Sequence, residues 1–352
     1  MLDKILDEPL NGWLSESTEA NHIVLSSRIR LARNFKDIQF TNRNEAKDLE
    51  KVNQMMRNVL ADLVKADTHQ YSNISFEQLS DVDKEVLVEK HLISPNLADK
   101  STNRSLIVSD DASIAIMVNE EDHIRIQAME AGLQLKKAYN HAVLVDDAIE
   151  SKYNYAFSEQ FGYLTACPTN VGTGLRASVM IHLPALTLTG RLNRIIRSIV
   201  QLGYTVRGLY GEGSDVLGNI YQISNQRTMG ISEEETIEQL TKVVEGLVAE
   251  EIKCRDQIKA GDFEAFEDKI WRSYGILQYA RRLSGKEALS LLSDMQLGMD
   301  MGVLPAAPKN TFNKLIVISR PYFLSKYAGK ADMSPAERDS YRAKVVRDIL
   351  CK

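Results

Sequence analysis

The apolar residues of this chain change rhythm once, near residue 260. Before that point stretches with a period of two alternate with stretches at helical spacing, and after it every apolar stripe is helical. A chain patterned this way folds as a mixed α and β body followed by an all-helical unit, an α+β class. Strands are expected at HIVLSSRIRLARN (22–34), SLIVS (105–109) and IAIMV (114–118), the last two joined by a DDAS turn. A helix is expected from Asn44 to about Val64. HIRIQ (123–127) either extends the sheet or opens the helix that continues from Gln127 to Tyr139. FGYLTACPTN (161–170) reads as strand then loop, and GRLNRIIRSIVQLG (190–203) as a helix with a glycine stop. YTVRGLYGEGSDVLGNIYQISN (204–225) reads as two strands around a glycine-rich loop, and SEEETIEQLTKVVEGLVAEEIK (232–253) as a capped helix. The expected division is a short N-terminal tail or clasp (1–20), a mixed body (21–258) and a helical region (259–352).

Length and composition exclude several classes. The 352 residues, 44% hydrophobic and 26% charged, suit globular domains, and a formal charge of −5 supplies no basic field for nucleic acid. Cys167, Cys254 and Cys351 are far apart, odd in number and form no CxxC pair, which argues against a disulfide framework or a protein metal site and fits a reducing cytoplasm. The opening MLDKILDEPLNGWL lacks the apolar core of a signal peptide, and no stretch of roughly 18 apolar residues follows that could span a membrane. No repeat period is present.

The residues that carry chemistry cluster in five places. In SSRIR the strand period sets Ser26, Arg28 and Arg30 on one face and Leu25, Ile29 and Leu31 on the other. Taken alone, that arginine pair reads as a solvated edge. VNEEDHIR (118–125) packs three acids, a histidine and an arginine directly after an apolar strand, where a plain turn would use Gly, Asn or Pro. Adjacent residues there point opposite ways, which suits base chemistry better than a metal site. CPTNVGTGLRAS (167–178) offers backbone N–H groups and Arg176 to a phosphate. No GxxxxGK[ST] loop occurs, and GTGLRA lacks the distal acid of a dinucleotide fingerprint, since position 194 is Arg. RGLYGEGS (207–214) and SNQRTMG (224–230) add Arg207, Glu212 and Arg227 on loops.

In this order the five segments resemble the catalytic domain of the phosphagen (ATP:guanido) kinases, over about residues 22 to 250. The resemblance implies a phosphagen kinase-like domain with an antiparallel sheet flanked by helices. It also implies ATP with Mg²⁺, its phosphates held by Arg28, Arg30, Arg125, Arg176 and Arg207, with Ser27 beside them, His91 near the adenine and Arg227 as a further arginine. Glu121 is implied as general base and Glu212 as a grip on the guanidinium, with Glu120, Asp122 and Cys167 in support. The chemistry agrees: a migrating phosphoryl group spreads charge over three oxygens that arginine forks match, and a guanidinium is a poor nucleophile until a carboxylate takes its proton.

RDSYRA (338–343) fits a signature of the bacterial protein-arginine kinase (McsB) family, which the whole chain resembles. That resemblance implies phosphoarginine binding by Arg338, Asp339, Arg342 and Ala343 in the helical region. At helical spacing the two arginines share a face, though a solvated basic helix is the ordinary explanation of such a pair. Only about twenty residues precede the SSRIR strand, where small-substrate phosphagen kinases carry a further helical domain, so an open acceptor site admitting arginines of proteins is expected. Further implications are the activator McsA, the repressor CtsR, the ClpC/ClpP protease in stress-linked degradation, and a homodimer. The rival readings are a small-molecule guanidino kinase and a phosphoarginine-binding adaptor without turnover.

Overall fold

The computed structural model describes residues 1–15, 23–43, 45–66, 69–208, 216–330 and 332–351. Among them are strands β1 (Val24–Arg33), β2 (Tyr71–Ser75), β3 (Ser105–Ser109), β4 (Ile114–Val118), β5 (Ile124–Ala131), β6 (Phe157–Ser158), β7 (Gly162–Tyr163), β8 (Leu175–His182), β9 (Tyr204–Gly208) and β10 (Ile220–Asn225). Eight form one sheet in the order β2-β3-β4-β5-β1-β8-β10-β9, and β6 with β7 make a separate ladder. The β2/β3, β3/β4, β4/β5 and β5/β1 pairs are antiparallel. The chain groups into two compact units, Met1–Trp13 with Ser26–Ser178 and Ser224–Leu240, and Leu14–Leu25 with Val179–Ile223 and Thr241–Lys352. In this grouping residues 179–223 join the C-terminal helices.

In the first unit every residue of β3 and β4 is buried, which is why both read as unbroken apolar runs. Their turn is closed by Asp111, whose Oδ1 accepts from Ser109 Oγ (2.7 Å), Ser113 N and Ser113 Oγ (both 2.9 Å). HIRIQ resolves as strand. β5 continues to Ala131 because each of its residues finds a partner on β1, from Arg33↔Ile124 to Ser26↔Ala131, and this pairing overrides the helical spacing after Gln127. Gly132 turns the chain at φ +63°, and the helix Leu135–Glu150 starts beyond it. That helix buries Ala138, Ala142, Val145 and Ile149, and the helix Ala46–Ala66 buries Val52, Met56, Val59 and Leu63, each a stripe at helical spacing. The N-terminal segment is a clasp with its own core residues: Ile5, Leu6 and Trp13 are 2–3% exposed, and the Lys90 ammonium donates to the carbonyls of Ile5 and Glu8.

The second unit is tied by one buried carboxylate. Glu251, on the helix Glu233–Ala260, accepts from Ala185 N (3.0 Å) and Leu186 N (2.8 Å) at the start of the helix Pro184–Leu188. It also accepts from Arg255 Nε (3.1 Å), and Arg255 reaches Asp300 Oδ2 (3.0 Å) at the end of the helix Gly285–Asp300. That last helix crosses Phe263–Tyr279 at Gly298, where an added Cβ would lie 2.3 Å from Ile270 Cγ2. No helix among the described residues is long and apolar enough to cross a membrane.

Two substitutions test this packing by thermal denaturation. Gly298→Val should cost about 1–3 kcal/mol through overpacking. Glu251→Ala should cost more, about 3–5 kcal/mol, because it leaves two buried backbone N–H groups unpaired and Arg255 with Asp300 as its remaining acidic partner.

Candidate active site

The alternation of β1 does what the strand period requires. Ser27, Ile29 and Leu31 are at most 1% exposed on one face, and Arg28 and Arg30 project from the other. β5 is the neighbouring strand and sets Arg125 opposite Ala32, while β8 carries Arg176. Arg30, Arg125 and Arg176, with Ala32, Asn170 and Gly174, line one cleft whose cavity volume is about 50 Å³. Arg28 donates from Nε to Ser178 Oγ at 3.2 Å. Burial, then the charges of Arg125 and Arg176, push the Arg28 guanidinium down to about 10. Arg30 falls well below its ordinary value for the same first reason, with Arg28, Arg125 and Arg176 adding to it and Glu120 opposing, and its buried Nε has no hydrogen-bond partner. Guanidiniums remain protonated under such pressure, so the cluster is a desolvated positive charge that an anion with several oxygens would relieve.

The acids of the NEED segment divide their work. Glu120 is 3% exposed and fully engaged: Arg125 Nη2 lies 2.7 Å from Oε2, Glu121 N donates to Oε2 at 2.9 Å, and Ser94 Oγ donates to Oε1 at 2.6 Å. Asp122 is 0% exposed and latches two loops, accepting at Oδ1 from Asn34 Nδ2 (2.7 Å) and Ala166 N (2.6 Å). Neither carboxylate is turned to solvent. Glu120 is tied to Arg125 and Ser94, and Asp122 to Asn34 and the backbone of Ala166.

Glu121 is different. Its side chain is 41% exposed and 3.1 Å from Arg125 Nη2, and the Cys167 thiol, which pairs with Thr169 Oγ1 at 3.0 Å, is close enough to bear on its carboxyl. Partial burial raises its carboxyl above the usual range; Arg125 opposes this, Asp122 and Glu120 add to it, and the Cys167 thiol lowers it. An exposed carboxylate next to the arginine cleft, paired with a guanidinium at 3.1 Å, is placed to receive a proton.

The pieces that hold this arrangement carry no motif. Arg33 grips Asp146 Oδ2 through Nε (3.0 Å) and Nη2 (2.7 Å), donates to the carbonyls of Ala32 and Thr173 (both 3.0 Å), and lies 3.6 Å over the Tyr163 ring. It fixes the glycine loop from behind: a Cβ on Gly174 would sit 2.6 Å from Arg33 Nη1, and the backbone there has φ +64°. Asn34 Oδ1 accepts from His123 N (2.9 Å), and Asn225 Oδ1 accepts from Ala177 N (2.8 Å), beside Arg176. Only Arg33 and Asn34 left a trace in the sequence, as polar residues ending a strand whose apolar pattern predicts burial.

The other candidates are scattered. Ser27 is 0% exposed, and its hydroxyl donates to Gly132 O and accepts from Gln134 N, both at 2.8 Å, so it lies on the face away from the arginines and offers no side-chain contact to a nucleotide. His91 is half-buried at φ +61°, its ring 6.4 Å from Trp13 and its carbonyl held by Gln127 Nε2 at 2.8 Å. Arg227 turns back onto the carbonyls of Met229 (3.0 Å) and Gly230 (3.1 Å). Arg207 is exposed on β9, and Glu212 lies outside the described residues.

RDSYRA sits on the helix Pro335–Leu350, started by a capping box of Ser334 and Glu337. Arg338 donates to Met333 O (3.0 Å). Arg342 is 3% exposed and donates to Ser319 O (2.9 Å), Leu283 O (2.7 Å) and Asp339 Oδ1 (2.8 Å), while Ala343 is a 0% exposed packing residue. The two arginines share one helix face, Arg338 half-buried and Arg342 buried against the carbonyls of Leu283 and Ser319, so that face is not a solvated basic surface. Burial lowers the Arg342 guanidinium, the hydrogen bond and charge of Asp339 oppose this, and the charges of Arg338 and Arg320 add to it.

The family model described as ATP:guanido phosphotransferase, C-terminal catalytic domain, matches residues 51–254, and that described as protein-arginine kinase McsB C-terminal domain matches 264–352. A protein-arginine kinase from Desulforamulus reducens is 44% identical over 352 residues, covering 99% of this chain and 98% of that one, and one from a Geobacillus species is 46% identical over 348 residues, covering 99% and 96%. The chain belongs to the protein-arginine kinase family. Solved structures agree on the fold of this family member: a duplicated taurocyamine kinase from Schistosoma mansoni with transition state analog components (TM-score 0.58, 24% identity, 71% of this chain and 37% of that one) and a lombricine kinase (0.57, 23%, 74% and 76%). The matched catalytic segment begins after β1, so Arg28 and Arg30 are joined to it by the sheet.

A crowded positive cleft has a measurable signature. Inorganic phosphate or ATP should raise the melting temperature far more than chloride at equal ionic strength, the added stability reaching about 2.7 kcal/mol at a hundredfold excess over Kd. Arg30→Met should abolish that gain and raise the melting temperature of the ligand-free protein. A phosphate response that survives in Arg30→Met would contradict the assignment.

Proposed function

We propose that this protein transfers the γ-phosphoryl group of ATP, carried as its Mg²⁺ complex, to the guanidinium of arginine residues in proteins. The observation that carries the reading is the meeting of Arg30, Arg125 and Arg176 around one cleft with Glu121 hydrogen-bonded to Arg125 at its margin. In this reading Arg28, Arg30, Arg125 and Arg176 hold the phosphates and keep their forks fixed as charge moves between the bridging oxygen and the acceptor. Glu121 takes the proton that leaves the guanidinium, a nitrogen–phosphorus bond forms, and the bond to the bridging oxygen of ADP breaks. Glu120 holds Arg125 in register, and the Cys167 thiol neighbours the Glu121 carboxylate. Glu120 is tied to Ser94 and Arg125 and Asp122 Oδ1 to Asn34 and Ala166, so Mg²⁺ would come in with the nucleotide, where it would neutralise phosphate charge.

The finer partners follow from the same reading. We include among them Arg207 and Glu212 as further contacts to phosphate and guanidinium, and His91 beside the adenine. Phosphoarginine would be met by Arg338 and Asp339, with Arg342 bracing the helix and Ala343 packing beneath. Also included are a homodimer, cytoplasmic action, activation by McsA, CtsR as an acceptor, and delivery of marked proteins to ClpC/ClpP.

Incubating the protein with Mg-ATP and an unfolded acceptor protein, then mapping phosphoarginine by mass spectrometry under conditions that preserve the nitrogen–phosphorus bond, tests the activity. Glu121→Gln should lower transfer by about 10² to 10⁴, and full transfer by that variant would refute the base assignment. The base must be ionised, and the Glu121 carboxyl is raised, so kcat/KM should climb with pH along an acid limb above the usual carboxylate range. Cys167→Ala removes a thiol that favours the ionised form and should move that limb higher, as a pH profile would report.

A further inference from the structure

The loop that lines the arginine cleft at Asn170 and Gly174 lines a second cavity at Gly172 and Thr173. This second space has a volume of about 260 Å³, with Phe157, Phe161 and Tyr163 on it together with Thr228, Met229 and Glu233. Three of these are large apolar side chains left open to water: Phe157 is 57% exposed, Phe161 46% and Met229 46%. Open aromatic and thioether side chains gathered at one groove are a binding surface more often than an accident of packing.

The floor is built to stay flat. A Cβ on Gly172 would lie 2.1 Å from Thr228 O, and one on Gly162 would lie 2.5 Å from Gly172 O, so backbone meets backbone along the groove. Thr228 Oγ1 donates to the carbonyls of Thr169 (3.1 Å) and Val171 (2.7 Å), and Thr173 N donates to Thr228 O (3.0 Å). These bonds fix the groove to the segment that begins at Cys167, a neighbour of Glu121 whose thiol pairs with Thr169 Oγ1 at 3.0 Å. A chain whose arginine reaches Glu121 therefore has the groove as a rigid continuation of the same loop.

Charge selects the occupant. Glu233, Glu234 and Glu235 open the helix at the groove, Glu159 stands exposed between β6 and β7, and the nearby Arg227 is turned onto its own turn's carbonyls. An apolar trough with an acidic rim suits a segment that combines apolar side chains with positive charge, which a stretch of polypeptide around a target arginine supplies. A second copy of this chain, with a formal charge of −5, matches that rim poorly.

We propose that the groove is an acceptor subsite, binding an apolar or aromatic side chain of the protein substrate near the arginine to be phosphorylated. The inference rests on the reading that the acceptor is a protein arginine. It makes Phe161 and Met229 specificity-determining residues that touch substrate without taking part in the chemistry. The preference would be for segments whose arginines sit among core residues, which are accessible only when a protein has lost its fold.

Two peptide sets decide it, identical except that the residues flanking one arginine are Leu in the first and Ser in the second, with Leu moved through the positions on either side. Phosphoarginine formation from Mg-ATP is followed by mass spectrometry for the wild type and for Phe161→Ser and Met229→Ser. Both side chains are open to water, so the melting temperature and its response to ATP serve as the folding check. The wild type should favour one or more Leu peptides by about tenfold in kcat/KM. The two variants should lose that preference through KM while matching the wild type on the Ser peptides and in kcat. Equal turnover of Leu and Ser peptides by the wild type would overturn the groove and leave the arginine acceptor standing, as would an equal loss on both sets or a change of oligomeric state in the variants. Transfer to none of the peptides, with transfer to free arginine retained, would overturn the acceptor reading and the groove with it.

Discussion

Like charges crowded out of water are the constraint on which this fold is arranged. Arg28 and Arg30 come from one strand, Arg125 from its neighbour and Arg176 from the strand on the other side, so their separation is set by the spacing of a sheet rather than by flexible loops. Burial first, and then repulsion among the arginines, lower the Arg28 and Arg30 guanidiniums, a cost that an anion with several oxygens would offset. Such a device works only if the arginines cannot swing away, and the sheet denies them that. Glu120 removes part of the excess by neutralising Arg125 and, being buried, leaves Glu121 as the acid that solvent and substrate can reach.

A second layer keeps the first in place. Arg33 is a cation on the same strand with the opposite duty: its charge is matched by Asp146, its face is covered by Tyr163, and its remaining N–H groups hold the backbone of the glycine loop. Asp122 plays the matching part among the acids by fastening Asn34 to Ala166. Chemistry-bearing residues and their braces thus alternate along two short segments, LSSRIRLARN and NEEDHIR, with neighbouring letters doing unlike jobs.

This alternation explains what the sequence could disclose. The strand period was enough to separate Arg28 and Arg30 from Ile29 and Leu31, and unbroken apolar runs were enough for β3 and β4. The family resemblance named Glu121 and the arginines, but nothing in a run of acids distinguishes the exposed Glu121 from the buried Glu120 and Asp122; that distinction arises from Ser94, Asn34 and Ala166, which arrive from distant parts of the chain. β5 was ambiguous for a related reason, since its pairing with β1 decides its state and pairing is not local. Arg342 looked like a surface ligand because helical spacing says which face a residue shares and not whether that face is covered; the carbonyls of Leu283 and Ser319 settle it.

The Glu251–Arg255–Asp300 chain bears on how such a protein can be taken apart. The two family models meet between residues 254 and 264, and a cloning scheme would place its scissors there. That incision would leave Arg255 in one fragment and Asp300 in the other, with Glu251 still holding the start of the helix Pro184–Leu188. The junction that lineage draws is therefore not a fault line in the molecule, and halves expressed separately would each inherit an open ionic wound.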